Sequence, residues 1–345
     1  MEYVHGGDIY TYKGMMDFSI NINPLGPSKS VMEAVRSAAS NIEKYPDAKC
    51  RELCSALSEV LRLKPEYFTF GNGAAELIFS LVLARCPKKA LILTPSFAEY
   101  EQALRAFGSE IVYYQLQEAD NFRLDERYLE YLNDDLDMIF LCSPDNPVGN
   151  VIEKKLLLQI LKKCQQHQIL MVLDECFYEF LDSWEEATLQ NEVKDNSLVF
   201  ILRAFTKMHA MPGIRLGYGI SSDLELLAKM EMVRQPWSVS VVAQAAGLAA
   251  VYERARILKT QTFIREERKW MTDEMKRIGV KFYPPAANYI FMKSSYDLYE
   301  ELKSKMILIR DCSNYKGLEK GYYRVAVRTR KENQQLMDEL EKIYR

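Results

Sequence analysis

Strand-like and helix-like stretches alternate along residues 31–234 of this 345-residue chain. Strand-like runs are expected at residues 90–94, 111–115, 138–142, 169–173, 198–201 and 216–220. Helical patterns lie between most of these runs, and parallel strands need such a crossover connection. The pattern therefore predicts an α/β fold in which the large domain holds a mostly parallel sheet flanked by helices.

The length predicts a second, smaller domain. Single hydrophobic cores stop growing at roughly 250–300 residues, and this chain is longer. We expect three parts: an N-terminal arm at 1–30 that crosses the cleft and packs on the small domain, a large domain at 31–240, and a last part at 241–345. That last part should contain a long helical stretch at 241–278, strands at 289–293, 307–309 and 323–326, and a helix at 331–344, which together indicate a small α+β domain.

Composition excludes several classes of function. The formal net charge is −3 and there is no block of Lys or Arg, so no nucleic-acid partner is expected. No apolar run approaches the roughly 18 residues of a membrane span, and the first ten residues lack a signal-peptide apolar region. We therefore expect a cytoplasmic protein without a membrane partner. Seven scattered cysteines and three histidines indicate neither a disulfide framework nor a metal site.

The segment that most narrows the chemistry is RAFTKMHAMPGIRLGY, residues 203–218. It follows a strand-like run and contains Lys207, with Arg215 eight residues later. A lysine can hold an aldehyde cofactor only where it can lose its proton, in a partly desolvated, cation-rich environment. Most lysines are exposed, so this interpretation depends on the rest of the chain.

Two further segments place polar groups after strand-like runs, where ligands bind in open α/β sheets. Asp174 ends the apolar run 169–173, and its carboxylate can keep a pyridine nitrogen protonated, although an Asp here is as often a helix N-cap. The segment FTFGNGAAELI, residues 68–78, breaks at two glycines and enters a helix. The first turn of that helix, at Gly73, Ala74 and Ala75, directs free N–H groups at an anion.

With the turn SPDNPVG at 143–149, these segments resemble, in order and spacing, the fold-type I pyridoxal-phosphate enzymes of the aminotransferase class I/II family. The resemblance covers essentially the whole chain. It implies that pyridoxal 5'-phosphate is the cofactor. It also implies that Lys207 is the Schiff-base lysine and that Asp174 holds the pyridine nitrogen, so these two are the predicted catalytic residues.

The same resemblance implies the remaining cofactor contacts within the chain. Asn146 would donate a hydrogen bond to the phenolic oxygen of the ring, which favours the ionised phenolate. Phe97 would stack on the ring face. Thr206 and Arg215 would bind the cofactor phosphate together with the helix start at Gly73. The hydroxyl of a family serine is missing at Ala204, and Thr206 and Arg215 remain to bind that phosphate.

Tyr45 is the residue from which we predict how subunits assemble. It precedes Pro46 and matches a family tyrosine that reaches the cofactor phosphate of the neighbouring subunit. The resemblance therefore implies a homodimer with shared active sites, although a tyrosine in a turn before proline is by default structural.

Within the family, the chain is most similar to the histidinol-phosphate aminotransferase group, which includes the L-threonine-O-3-phosphate decarboxylases of cobalamin synthesis. Arg324 matches the arginine that binds the substrate α-carboxylate, and a guanidinium holds a carboxylate through two parallel hydrogen bonds. Arg310 matches the arginine that contacts substrate phosphate. His5 and Asn23 are further candidates for substrate contacts. The implied substrate is a small phosphorylated amino acid.

Several segments favour the decarboxylases: HGGDIY at 5–10, NINPLGP at 21–27, PWSV at 236–239 and IRDCS at 309–313. Phe177 also favours the decarboxylases, because histidinol-phosphate aminotransferases typically carry a tyrosine at this position. The expected activity is decarboxylation of threonine phosphate to (R)-1-amino-2-propanol phosphate. A histidinol-phosphate or other class I/II aminotransferase is the alternative, and a non-catalytic binding module of this fold is a remote one. Decarboxylation and transamination differ by rotation about one substrate bond, which residue patterns do not determine.

Overall fold

The structure, a computed structural model, describes residues 5–345, so residues 1–4 of the predicted arm lie outside it. The strands are β1 Met16–Asp17, β2 Phe68–Gly71, β3 Lys89–Thr94, β4 Glu110–Gln115, β5 Met138–Cys142, β6 Leu170–Asp174, β7 Val199–Ala204, β8 Gly217–Ile220, β9 Lys281–Phe282, β10 Tyr289–Lys293, β11 Ile307–Leu308, β12 Arg310–Asp311 and β13 Tyr322–Ala326. The α-helices are α1 Lys29–Ala38, α2 Arg51–Leu61, α3 Gly73–Arg85, α4 Ala98–Ala106, α5 Lys154–Gln166, α6 Trp184–Ala187, α7 Leu224–Val233, α8 Val241–Val251, α9 Arg254–Ile278, α10 Leu298–Ser304 and α11 Arg330–Tyr344.

A seven-stranded sheet in the order β2-β8-β7-β6-β5-β3-β4 is formed by strands from residues 68–220, within the predicted large domain. Strand β8 runs antiparallel to its neighbours β2 and β7, and the other neighbouring pairs are parallel. All six strands predicted for this sheet are present. The predicted α/β fold with a mostly parallel sheet is confirmed.

Helices cover both faces of this sheet, and its central strands are correspondingly rich in apolar residues. Every residue of β5, β6 and β7 is buried, as expected for strands that lie between two layers of helices. Phe140 lies in an apolar cluster with Leu77 of α3, whereas its neighbour Ile139 lies in another cluster with Ile160 of α5. Alternate residues thus face opposite layers.

A four-stranded antiparallel sheet in the order β12-β13-β10-β9 forms the second layer of strands. Helix α9 packs against α11 beside it. The N-terminal arm is attached to this part of the chain, since Met16 pairs with Ile307 in a parallel bridge between β1 and β11. The backbone N–H of Phe18 donates to the carbonyl of Leu308 at 2.7 Å.

Two predicted elements of the C-terminal part need correction. The helical stretch at 241–278 is two helices, α8 and α9, separated at Tyr252 and Glu253. Helix α8 packs against α1 and α2, whereas α9 packs against α11, so tertiary packing breaks the helix without a Gly or Pro signal. The strand predicted at 307–309 is two short strands, because Ile307 pairs with the arm and Arg310 pairs with β13.

Among residues 5–345, no helix combines the length and the apolar character that crossing a membrane requires. The cytoplasmic location expected from the sequence stays a prediction.

Candidate active site

A cavity of about 230 Å³ lies beyond the carboxyl ends of β5, β6 and β7, between the large sheet and the sheet that carries β12 and β13. Most of the predicted site residues line it: His5, Ala74, Ala75, Phe97, Asn146, Asp174, Thr206, Lys207, Arg215, Arg310 and Arg324. Residues separated by most of the chain's length thus meet in one cleft. Its position agrees with the rule that ligands of open α/β sheets bind at the carboxyl ends of the strands.

Lys207 lies in the loop after β7 and reaches this cavity. Its pKa is lowered to about 8, first by removal from water and then by the positive charges of Arg324 and Arg215. Its Nζ lies 5.7 Å from the ring centre of Phe177. The backbone is held in place because the carbonyl of Lys207 accepts from the N–H of Asn23 at 3.1 Å. An amine with this pKa is available as a nucleophile near neutral pH.

The lowered pKa of Lys207 predicts how the apoprotein combines with added pyridoxal phosphate. A cation with a lowered pKa is protonated below that pKa, so the reactive neutral amine should increase about tenfold per pH unit up to about 8 and then level off. The rate at which visible absorbance develops on mixing measures this. A rate that keeps rising to roughly pH 10, as for an exposed lysine, would contradict the environment described.

Asp174 ends β6 and is buried. Its Oδ2 accepts from the Tyr100 hydroxyl at 2.5 Å and its Oδ1 from the Cys176 N–H at 2.9 Å. Burial raises the pKa of this carboxyl, and the hydrogen bonds from Cys176 and Tyr100 oppose that rise. In the described part of the chain no ion pair involves Asp174. A buried carboxylate of this kind fits a cationic ring nitrogen, which would supply the missing positive charge.

The start of α3 lies against the guanidinium of Arg215. Gly73 has φ +78°, and a Cβ there would lie 2.4 Å from Nη2 of Arg215. Glycine is therefore required for the guanidinium to approach the helix start. Ala74 and Ala75 of the first turn line the cavity together with Thr206. Free N–H groups, a helix dipole and a guanidinium together fit the phosphate of the cofactor.

Asn146 and Arg324 are joined directly. Nη1 of Arg324 donates to Oδ1 of Asn146, and Nη2 donates to the carbonyl of Ser19 at 2.9 Å. The Tyr315 hydroxyl also donates to Oδ1 of Asn146, at 3.2 Å. Because the amide oxygen accepts these bonds, the NH2 group of Asn146 is the end that can donate to a ring oxygen. The Nε of Arg324 is buried and has no hydrogen-bond partner within residues 5–345.

Arg310 lies directly opposite Arg324 in the antiparallel pair β12–β13. Residues opposite each other in such a pair project from the same face, and both side chains are buried. Arg310 donates to Oδ1 of Asn314 at 2.8 Å, and its guanidinium carbon lies 5.1 Å from the ring centre of Tyr315. Neither arginine forms an ion pair with a carboxylate among residues 5–345. Two buried cations side by side suit a ligand with two anionic groups.

Three predicted site residues do not line this cavity: Gly73, which lies against Arg215 at the helix start, Asn23 and Tyr45. Asn23 was expected to contact substrate, but its NH2 group donates to the carbonyl of Met208 at 2.7 Å and to Oγ1 of Thr260 at 3.0 Å. Its Oδ1 accepts from the N–H of Leu25 at 3.0 Å. These contacts give Asn23 a structural role, and the expectation of a substrate contact has no support. Tyr45 is 80% exposed on the outer surface.

Glu99 is a cavity residue that the sequence analysis missed. It lies in the first turn of α4, two residues after Phe97, and burial raises the pKa of its carboxyl to about 7. Its Oε1 lies 3.3 Å from Nε2 of His5. The only sequence signal for Glu99 was its position two residues after Phe97, a predicted cofactor contact. Acidic residues are so common in the first turn of helices that this position does not predict a site residue.

The fold and the site together define a class of enzyme that holds pyridoxal phosphate on a lysine between two sheets. Residues 13–340 match the family model described as aminotransferase class I and II, and the chain belongs to that family. It is an enzyme that depends on pyridoxal 5'-phosphate. The resemblance, the fold class and the cofactor expected from the sequence are confirmed.

The similar proteins include threonine-phosphate decarboxylases and histidinol-phosphate aminotransferases. A threonine-phosphate decarboxylase from Salmonella typhimurium is 38% identical over 98% of this chain and 96% of its own. A histidinol-phosphate aminotransferase from Moorella thermoacetica is 28% identical over 96% of this chain and 86% of its own. The crystal structure of the histidinol-phosphate aminotransferase from Clostridium acetobutylicum has a TM-score of 0.90 and 32% identity, and covers 96% of this chain and 99% of its own.

Proposed function

We propose that this enzyme decarboxylates L-threonine O-3-phosphate to (R)-1-amino-2-propanol phosphate and CO2. The similarity to a threonine-phosphate decarboxylase over nearly the full length of both chains supports this substrate. The observation that carries the proposal is the pair of buried arginines, Arg310 and Arg324, on one face of β12–β13. Threonine phosphate has an anionic group at each end, and each arginine would bind one of them.

The residues of the cavity have distinct roles in this reaction. When bound, pyridoxal phosphate supplies an electron sink for the bond that breaks at the substrate Cα. Lys207 would hold the cofactor aldehyde, Asp174 would keep the ring nitrogen protonated, and Asn146 would donate to the ring oxygen. Arg324 would orient the α-carboxylate. After CO2 leaves, Lys207 would return one proton to Cα, which balances the reaction.

One assay distinguishes this activity from that of the histidinol-phosphate aminotransferases, which are also relatives. The enzyme is incubated with threonine phosphate and CO2 is measured, and separately with histidinol phosphate and 2-oxoglutarate and glutamate is measured. We expect CO2 and little glutamate. Phe177 favours this outcome, because its ring beside Lys207 has no hydroxyl to bind the cofactor oxygen. Glutamate without CO2 would replace the proposal with the aminotransferase.

Substitution of the two arginines should separate their roles. Arg310→Ala should raise the KM for threonine phosphate about 10- to 100-fold, the effect of one charge-assisted contact. It should hardly change the weak activity on threonine, which has no phosphate. Arg324→Ala should impair both substrates alike. Arg328→Ala is a matched control, since Arg328 pairs with Glu332 instead of lining the cavity. Equal damage to both substrates by Arg310→Ala would exclude the phosphate contact.

We also propose that the enzyme is a homodimer in which Tyr45 contacts the cofactor phosphate of the partner subunit. The ring of Tyr45 lies 4.6 Å from that of Trp237 on the surface, and Tyr45 is 80% exposed. Met232, 84% exposed, lies in the same surface groove as Trp237. Exposed apolar residues grouped in this way are typical of protein interfaces. Sedimentation equilibrium measures the assembly, and a monomer at micromolar concentration would exclude this proposal.

A further inference from the structure

A polar contact crosses the mouth of the cavity. Glu99 belongs to α4 of the large domain, whereas His5 belongs to the N-terminal arm, and their Oε1 and Nε2 atoms lie 3.3 Å apart. The arm beside His5 is anchored, because the N–H of Gly7 donates to Oγ of Ser19 at 2.7 Å. The contact therefore connects the large domain to the arm directly over the substrate cleft.

The second oxygen of Glu99, Oε2, is buried and has no hydrogen-bond partner among the described residues. A buried, unpaired carboxylate is costly, so it tends to hold a proton. Burial raises the pKa of Glu99 to about 7, and the charged groups that face it from other elements are Lys207, Asp174, Arg310 and His5. Near neutral pH, Glu99 therefore carries a proton for a substantial part of the time.

His5 shows the complementary behaviour. Its pKa is lowered by burial and then by the positive charge of Arg310. Without a ligand, the imidazole is thus neutral near pH 7, and its Nε2 can accept the Glu99 proton. A dianion bound at Arg310 would cancel the charge that opposes protonation of His5 and add negative charge beside it. A proton held on Oε1 of Glu99 would then move to Nε2 of His5, 3.3 Å away.

We propose that Glu99 is a positioning residue that supplies His5 with a proton, so that the imidazolium of the arm and Arg310 bind the substrate phosphate together. This inference rests on the proposed function, because it requires a phosphorylated substrate. The proton transfer leaves a Glu99 carboxylate paired with a His5 cation, whose Nδ1–H can donate to phosphate. Arg310 alone balances the charge of a group with one negative charge. Arg310 and protonated His5 together balance a phosphate dianion, so these two residues favour a phosphate over a carboxylate.

Kinetics of Glu99→Gln and His5→Gln test this role. Each should raise the KM for threonine phosphate about tenfold, the effect of a lost charge-assisted contact, and leave kcat within about threefold. Activity on unphosphorylated threonine should hardly change. Glu101→Gln is the matched control, since Glu101 lies on the same helix and pairs with Arg105 at 2.7 Å, and it should behave as the parent enzyme. An unchanged KM, or a fall in kcat alone, in Glu99→Gln would overturn the proposal.

A binding measurement on the holoenzyme does not depend on turnover. Sulfate keeps two negative charges throughout the neutral range, so protons taken up on its binding come from titration of the protein. Near pH 8, Glu99 and His5 are largely deprotonated, so His5 would take its proton from solvent and the Glu99 carboxylate would stabilise the imidazolium. Calorimetry in buffers of different ionisation enthalpy should then show uptake of about half a proton or more by the parent enzyme. Glu99→Gln and His5→Gln should each take up less than about a fifth of a proton.

The two measurements separate the inference from the proposed function. Proton uptake that Glu99→Gln abolishes, in an enzyme that releases no CO2 from threonine phosphate, would support the anion site and exclude the decarboxylase. Release of CO2 with uptake unchanged in Glu99→Gln would support the decarboxylase and exclude the role of Glu99.

Discussion

Replacement of Lys207 by alanine is expected to abolish turnover, by more than about a thousandfold. Lys207 lies at the cavity with its pKa lowered to about 8, and two tasks depend on its amine: holding the cofactor aldehyde and moving a proton at the substrate Cα. CO2 release measures the loss. The parent protein should be yellow, with absorbance at roughly 400–430 nm for lysine-bound cofactor, and the variant should lose that band.

Borohydride reduction gives a second measurement for Lys207. In the parent protein it should fix the cofactor to the peptide that contains Lys207, as mass spectrometry would show. Lys259→Ala is a matched control, because Lys259 is exposed on α9 and its loss should leave both fixation and turnover intact. Full activity in Lys207→Ala would show that another residue holds the cofactor.

Asp174→Asn should lower kcat more than a hundredfold, about 2.7 kcal/mol in the activation barrier. The substitution keeps the shape of the side chain but removes the charge that would hold the ring nitrogen protonated. Asp174 is buried, so solvent cannot stabilise the protonated ring nitrogen once the negative charge of the carboxylate is lost. Cofactor absorbance, measured with kcat, shows whether the variant still binds pyridoxal phosphate.

Tyr100→Phe is the matched control for Asp174. It removes the hydroxyl that donates to Oδ2 of Asp174 but keeps the ring that stacks on Phe140 at 4.8 Å. We expect it to lower kcat by about tenfold or less, the net effect of one hydrogen bond. A loss of less than tenfold in Asp174→Asn itself would give Asp174 a structural role only.

Much of the fold could be predicted because its signals are local. Strand β5 is apolar along its whole length, β6 is apolar up to its last residue, Asp174, and Lys207 follows the buried strand β7. The break between α8 and α9 had no such signal, since the packing of α8 against α1 and α2 separates the two helices. The hydrogen bonds of Asn23 had no local signal either. Its partners, Met208 and Thr260, are distant in sequence, and hydrogen bonds to them cannot be inferred from neighbouring residues.

The sequence by itself indicated the class of chemistry, because the segments that carry a lysine, an aspartate and an asparagine resemble those of a known family, and the ends of parallel strands meet at one edge of a sheet. Only the tertiary structure decided how charges are arranged there. It placed Arg310 opposite Arg324, brought His5 of the arm to Glu99, and buried Lys207 among cations. The physical reason is that protonation and anion binding depend on distance and burial, which arise only when remote segments pack together.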